Sequence, residues 1–423
     1  MYDITIIGAG ITGLTTALSL AQSFPKLKIA IISHHNSSNF NPVIAVNASN
    51  VRYLISLGVK IPKADHSTIE EMKIFSDEGS ILEFDYLVNA NYYSKIFSTS
   101  ALISALTDKI VLNQSITIIQ SKLEDIKKMT NEIEVKLHSN EPKSLNQHSI
   151  LTINSKILIG ADGIHSLVRK LANIELETIQ YDQHLAITGS FACDHHHQNL
   201  ALQHFLPNGG VIACLPYGYK KISIVYSSPK TDEVINQYIK NYSNDSSNHQ
   251  NCSQLYQNNI LNQHVSSLNQ YYFGQMKLID NICSYNLQMN LVETFYKNNI
   301  ILVGDAAHSV HPLAGQGINL GFDDIKELIT VFKKNQLWLQ TEITNPLSTH
   351  IRSPHYQINQ VNFDLALKIY NRRRMLAVRK IQIICHALFR LFNINLPLAS
   401  IIRNKGMILI NKSTLLKKIM LIR

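Results

Sequence analysis

The 423-residue chain has a single tryptophan, five cysteines and no carboxylate after Asp364. Each scarcity excludes something. Cys193, Cys214, Cys252, Cys283 and Cys385 include no CxxC pair and are odd in number, which argues against a disulfide scaffold or a cysteine metal centre. They read as core thiols in a reducing compartment. No apolar run is long enough to cross a bilayer, since that takes roughly 20 residues. An apolar strand begins by Asp3 with no basic stretch before it, so no secretory or transit segment is expected. No internal repeat is evident, and with 45% hydrophobic residues the chain can fill a large core and more than one domain.

The missing carboxylates make the tail basic. Thirteen lysines and arginines follow Asp364, so the formal net charge of +9 leaves residues 1–364 at −4. Apolar residues accompany these cations, first Ile381, Ile383, Ile384, Leu388, Phe389, Leu391 and Phe392, then Leu415, Leu416, Ile419, Met420 and Leu421. Basic amphipathic helices suit an anionic membrane surface; packing on the acidic body is the alternative. Nucleic acid is not expected, because no motif or aromatic interleaving accompanies the charge.

What is present is glycine at three telling places. Asp3 to Ile7 reads as a short strand, and Gly8-Ala9-Gly10-Ile11-Thr12-Gly13 leads from it into the helical run Leu14 to Gln22. This is the strand, turn and helix context of a dinucleotide fingerprint: Gly8 for the tight turn, Gly10 for access of a pyrophosphate to the backbone, Gly13 for close packing of helix on strand. After the second strand, Lys28 to Ile32, an acidic residue should stand about 20 positions beyond the last glycine to hold ribose. Ser33 stands there, followed by His34 and His35. A hydroxyl grips less firmly than a carboxylate, so a weaker hold on an adenosine is expected.

The second place follows the strand Lys156 to Ile159, where Gly160-Ala161-Asp162-Gly163 turns into a basic helix containing Arg169. The third follows the strand Ile300 to Val303. There Gly304-Asp305 presents a carboxylate able to accept hydrogen bonds from a polyol, and Gly315-Gln316-Gly317 open a helix whose positive end favours an anion.

In this order the three sites resemble the FAD fingerprint, DG motif and GD motif of the class A flavin-dependent aromatic hydroxylases, which have the para-hydroxybenzoate hydroxylase-like fold. Tyr181-Asp182-Gln183, the segment His197 to Gly218 with Phe205 and Leu215-Pro216-Tyr217-Gly218, and Tyr285-Asn286-Leu287 look like the ubiquinone-biosynthesis branch. His311-Pro312-Leu313-Ala314-Gly315-Gln316-Gly317-Ile318-Asn319-Leu320-Gly321 is the most diagnostic match. The resemblance runs to about Met407.

It implies an α/β fold with a Rossmann-like FAD-binding domain (1–72, 98–180 and 277–360) interrupted by a β-sheet substrate domain (73–97 and 181–276). Basic amphipathic helices over 361–423 would complete the chain. It also implies hydroxylation of a polyprenyl phenol in ubiquinone biosynthesis, with FAD, O2 and NAD(P)H, through a flavin C4a-hydroperoxide. NAD(P)H would have no Rossmann domain of its own. By the same resemblance Gly8, Gly10 and Gly13 bind the pyrophosphate, with Ser33 towards the adenosine. Asp162, Gly163 and Arg169 support the pyrophosphate region, and Gly304 and Asp305 meet the ribityl chain. His311, Pro312, Gly315, Gln316, Gly317 and Asn319 lie along the isoalloxazine, and no side chain need act as a catalytic acid or base. A cytoplasmic protein, peripheral on the inner face of the membrane and within a ubiquinone-biosynthesis complex, is the implied setting.

Two departures keep other readings open. Besides Ser33, Pro42 stands where the family usually offers an arginine before Ala45-Val46-Asn47-Ala48-Ser49. A catalytically weakened scaffold, or a related flavin reductase, therefore remains an alternative. Asp194-His195-His196-His197 reads as a surface loop and not a metal site, since successive side chains on extended chain point opposite ways. His308 and His311 could titrate near neutral pH or only hydrogen-bond the loop backbone. Leu185 to Phe191, Ala201 to Phe205, Val211 to Leu215 and Ile222 to Tyr226 read as strands, and the Asn-, Ser- and Gln-rich Gln237 to Gln270 as containing a loose surface loop.

Overall fold

Two large sheets, packed with helices, carry the chain. The computed structural model describes residues 1–34, 41–61, 66–84, 93–138, 150–242, 251–253, 259–311, 315–335, 339–341, 356–394, 397–413 and 417. Among these, eight strands form the first sheet and ten the second.

At the centre of the first sheet Tyr2–Ile7 pairs in parallel with Ile29–Ser33 on one side and Ile150–Gly160 on the other, and Ile300–Leu302 extends it in parallel. Strands covered on both faces need apolar side chains at successive positions. Ile29, Ala30, Ile31 and Ile32 are all buried. The helices α1 (Ile11–Ser23), α2 (Ala48–Ser56), α3 (Thr99–Val111) and α4 (Leu167–Leu171) follow strands or turns of this half. All three glycine motifs leave the carboxyl ends of its parallel strands, where open α/β sheets bind ligands.

The second sheet is built on the long strand Leu176–Cys193, flanked by Lys221–Pro229 and Ile282–Val292. Leu200–Phe205 and Val211–Pro216 lie beyond Lys221–Pro229, and Glu71–Phe75 adds in parallel. The division between sheets differs from the expected boundaries. Leu176 already enters the second sheet, and Ile282–Val292 belongs to it although 277–360 reads as flavin domain. Ile282–Val292 pairs antiparallel with Leu176–Cys193 on both sides of a bulge between Gln180 and Leu185, so one long strand pair spans the expected boundary.

Gln237 to Gln270 includes parts of α5 (Glu233–Tyr242) and α6 (Asn259–Phe273), and the loop expected within it falls largely outside the described residues; Leu261 and Val265 are buried and Leu268 partly so, a helical spacing that the surrounding polar residues conceal. His197 is buried, its Nε2 donating to the Gly218 carbonyl at 2.6 Å, while His195 and His196 are exposed. Cys193, Cys214 and Cys385 are buried thiols outside any disulfide, whereas Cys283 is disulfide-bonded; the strand register sets Cys252 opposite it.

The tail begins with α8 (Gln360–Asn393), preceded by α7 (Gly317–Lys334) and followed by α9 (Pro397–Lys412). One face of α8 is core: Phe363, Leu367, Tyr370, Arg374, Val378 and Ile381 are buried at intervals of three and four. The second apolar run, from Leu415, lies almost wholly outside the described residues. No described helix is long and apolar enough to cross a membrane.

Candidate functional site

Close backbone approach brings the three glycine turns together. Gly8 has φ +109°, and a Cβ on it would lie 2.4 Å from the Ala161 carbonyl oxygen, so the first and second turns touch. A Cβ on Gly13 would lie 2.0 Å from the Gly8 oxygen, which forces the start of α1 against the strand before it. The third turn closes on the same helix, because the methyl and hydroxyl of Thr12 pack over Gly304 and Gly321. Thr12 is an unremarked residue of the fingerprint, yet it joins α1, the Gly304 turn and α7.

Two helices start at these turns without side-chain caps. The N-cap of α1 is Gly10, which has no side chain, and that of α7 is Gln316, whose side chain makes no cap hydrogen bond. By contrast Asn47, Ser98, Ser166 and Asn359 cap α2, α3, α4 and α8. The first amides of a helix have no internal partner, and with the macrodipole they attract anions. No atom outside the local chain lies within 4 Å of a Cβ built on Gly10 or Gly317. Open space in front of unsatisfied amides at two converging helix ends fits a dinucleotide cofactor with a pyrophosphate and an anionic ring.

Asp305 is accessible to solvent but closely surrounded by protein. Burial raises its pKa, His308 opposes that rise and Asp324 adds to it. Ser33 ends its strand and is itself buried. Pro42 fixes the entry to Val43–Asn47: its carbonyl accepts from Thr99 N at 2.9 Å and Thr99 Oγ1 at 2.8 Å. Gly315 sits opposite Ala45, whose Cβ would be 3.7 Å from a Cβ on the glycine. Ala45 belongs to an apolar cluster with Ile69, Ile96, Ala201, Leu215 and Tyr217, which joins the second sheet to the flavin-side loop. Pro312 lies outside the described residues.

Three expected ligand-binding residues make hydrogen bonds within the protein. Asp162 accepts from Ser166 Oγ at 2.5 Å and from the amides of Leu167 and Val168 at 2.7 and 3.1 Å, so its carboxylate ties down α4. Arg169 donates to Ala306 O at 2.8 Å and Ile164 O at 3.0 Å; its burial lowers its pKa and nearby Asp162 raises it. Asn319 donates to Ala45 O and Gly315 O, and its oxygen accepts from Asn47 N and Asn50 Nδ2. Its two donors and its acceptor are all engaged. All three tie the loops together.

Beneath the third turn lies a buried ion cluster. Asp324 on α7 accepts from the Gly304 amide at 2.8 Å, from His308 Nε2 at 2.7 Å and from Arg374 Nε at 2.6 Å. Its side chain has no exposed surface. Burial pushes the Asp324 pKa up, but His308, Arg374 and the Gly304 amide together hold it below its ordinary value. His308 therefore does more than contact loop backbone: since a carboxylate only accepts, its Nε2 carries the hydrogen. Nothing local marks Asp324 or Arg374 as partners; the helical phase of α8, with Arg374 four residues after buried Tyr370, is the signal.

His311 is buried against Tyr181 and Phe389, with ring centroids 5.0 and 4.9 Å away. Tyr181 Oη lies 2.8 Å from His386 Nδ1 on α8. Burial pushes the His311 pKa down to about 3, with His184 and His386 adding repulsion. Burial likewise lowers those of His184, His197, His204 and His264. Unfolded histidines titrate near pH 6.5, so below that pH the unfolded chain takes up protons that the folded chain refuses. Stability should therefore be full above about pH 6.5 and decline as pH falls. Thermal melts between pH 8 and 5 check this; a midpoint unchanged down to pH 5.5 would contradict it.

Residues 1–335 match the FAD binding domain family. The ubiquinone biosynthesis monooxygenase COQ6, mitochondrial, of Drosophila melanogaster is 27% identical over 366 residues, covering 78% of this chain and 73% of that protein. The 3-demethoxyubiquinol 3-hydroxylase of Escherichia coli is 24% identical over 430 residues, 98% and 96% of the two chains. Among solved structures, p-nitrophenol 4-monooxygenase from Pseudomonas putida superimposes with a TM-score of 0.72 at 14% identity, covering 100% of this chain and 96% of that one. PqsL, a probable FAD-dependent monooxygenase of Pseudomonas aeruginosa, gives 0.68 at 18%, with 96% and 99% covered.

Proposed function

Because this chain belongs to the FAD binding domain family, we propose that it is an FAD-dependent monooxygenase that hydroxylates the ring of a polyprenyl phenol in ubiquinone biosynthesis. NAD(P)H serves as reductant and O2 as the oxygen source. The observation that carries the reading is that two helix N-termini without side-chain caps pack together through Thr12, with the Gly315 turn against the apolar cluster of Ala45. Relatives named for ubiquinone hydroxylation support the substrate class.

Bound FAD supplies the redox and oxygen chemistry; the chain supplies placement. Amides at the start of α1 hold the pyrophosphate around Gly8, Gly10 and Gly13, with Ser33 at the adenosine side and Asp305 accepting from the ribityl hydroxyls. The start of α7, from Gly315 to Gly317, stabilises negative charge on the reduced ring. The wall around Ala45, Ala201 and Leu215 keeps water from the ring edge and receives an apolar phenol. Asp162, Gly163, Arg169, Gly304 and Asn319 fix the loops that do this. An apolar polyprenyl substrate resides in lipid, so the protein works as a peripheral protein at the inner face of a membrane.

Purified protein should carry FAD and show its visible absorption. Adding NAD(P)H, O2 and a polyprenyl phenol should yield a product heavier by one oxygen atom. Flavin reduction without oxygen insertion would make it a reductase; a colourless chain that cannot be reconstituted would leave a scaffold.

A further inference from the structure

The helix α8 has two faces with opposite commitments. Its inner face is fixed to the flavin-side turn along much of its length. Tyr370 Oη donates to Leu302 O at 3.1 Å, Arg374 to Asp324 and to Leu320 O, and Gln382 Nε2 to Asn290 O at 2.8 Å and Ser309 O at 3.0 Å. Ile381 and Cys385 pack with Val310 and Leu320. These bonds prevent the helix from rolling, so whatever lies on its outer face stays in solvent.

That outer face carries large aliphatic side chains among cations. Leu376 is 68% exposed and Ile383 62%, with Ile384 and Leu388 also open, and Lys368, Arg372, Lys380 and Arg390 lie exposed among them. The next helix repeats the pattern. In α9, Arg403 and Met407 turn inwards, Arg403 to Asp77 at 2.6 Å and Met407 against Leu82 and Phe84. Ile401, Ile402, Ile408 and Leu409 point out beside Lys405 and Lys412. No carboxylate follows Asp364.

Single exposed aliphatic residues are ordinary, but a repeated aliphatic and cationic pattern on two successive helices needs a partner that is anionic and accepts alkyl groups. A second copy would set like charge against like charge. Nucleic acid satisfies the charge but leaves the isoleucines wet. An anionic bilayer surface satisfies both, through headgroup attraction and insertion at the acyl boundary.

We propose that the outer faces of α8 and α9 are a docking surface for anionic lipid headgroups, which holds the flavin-side turn about one helix diameter, on the order of 10 Å, above the lipid. This rests on the peripheral-membrane reading above and adds the contact face and the lipid charge.

The test is cosedimentation of the full flavin-loaded chain with phosphatidylcholine vesicles, with and without phosphatidylglycerol. Binding should require phosphatidylglycerol and weaken with salt. An Arg372→Glu, Lys380→Glu double variant should lose affinity by at least about tenfold while keeping its flavin absorbance. Ile383→Trp should be quenched by lipids brominated in the acyl chain, and Tyr271→Trp, on α6, should not. Equal binding to neutral vesicles, no effect of the charge reversals, or equal quenching at both sites would overturn the assignment; tighter binding to duplex DNA than to vesicles would give the face to nucleic acid. Hydroxylation of a short-chain phenol in detergent is measured separately. Its failure with vesicle binding intact counts against the enzyme reading alone, and the reverse pattern against the docking face alone.

Discussion

Replacing Arg374 with methionine is expected to destabilise the protein by about 3–5 kcal/mol, the usual effect of leaving a buried charge without its partner, and to weaken FAD binding. The substitution retains most of the side chain's volume, so packing changes little. What it removes is the guanidinium that donates to Asp324 at 2.6 Å in a site where the carboxylate has no exposed surface. Asp324 in turn accepts the Gly304 amide. A carboxylate that becomes protonated or shifts can no longer hold that turn, and the turn presents Asp305. Arg374→Met should thus lower both the thermal midpoint and the flavin content.

A double variant, Asp324→Asn with Arg374→Met, separates the pair from its members. With no charge left to compensate, its loss should be smaller than the sum of the two single losses. Additive losses would mean that the two residues act independently. The pH dependence gives a second check. Asp324 is held below the ordinary carboxylate value, so its stabilising contribution is present above that value and is lost as pH falls through the folded one. Asp324→Asn should flatten this acid limb and leave the histidine-dependent decline, which begins near pH 6.5, in place.

The first sheet and its turns were legible because their signals are local. Tyr2–Ile7, the glycines that follow and α1 form a continuous stretch in which strand alternation, tight turn and helix adjoin. The strands around Leu185, Ala201, Val211 and Ile222 announce themselves in the same way. The ion cluster is different, since Gly304, His308, Asp324 and Arg374 come from three segments. Arg372, Arg373 and Arg374 look alike as a charge run, yet Arg373 pairs with Glu327 at the surface and only Arg374 turns inwards. The loop bonds of Asp162 and Asn319 were not legible for a related reason. A motif shows that a residue belongs to a loop, but only the hydrogen bonds show whether its polar atoms reach a ligand or hold the loop itself.

Gly13→Ala is expected to have the most direct effect on the cofactor. The added methyl would sit 2.0 Å from the Gly8 carbonyl oxygen, and the obstacle is backbone, which cannot rotate away as a side chain can. Either α1 retreats from the strand Tyr2–Ile7 or the Gly8 turn opens, and both movements take the α1 amides away from the pyrophosphate. Overpacking of this kind costs about 1–3 kcal/mol; if most of that falls on the bound state, FAD affinity drops by roughly one to two orders of magnitude. Gly10→Ala is the matched control for structure, since a Cβ there meets nothing within 4 Å in the protein. It should keep the fold and its thermal midpoint without flavin, yet weaken FAD, because the methyl enters the space facing the pyrophosphate. Flavin fluorescence titration of both refolded variants, beside melts of the flavin-free proteins, distinguishes the two effects. If Gly13→Ala bound FAD as tightly as the parent, the close packing of α1 on its strand would not be what holds the cofactor.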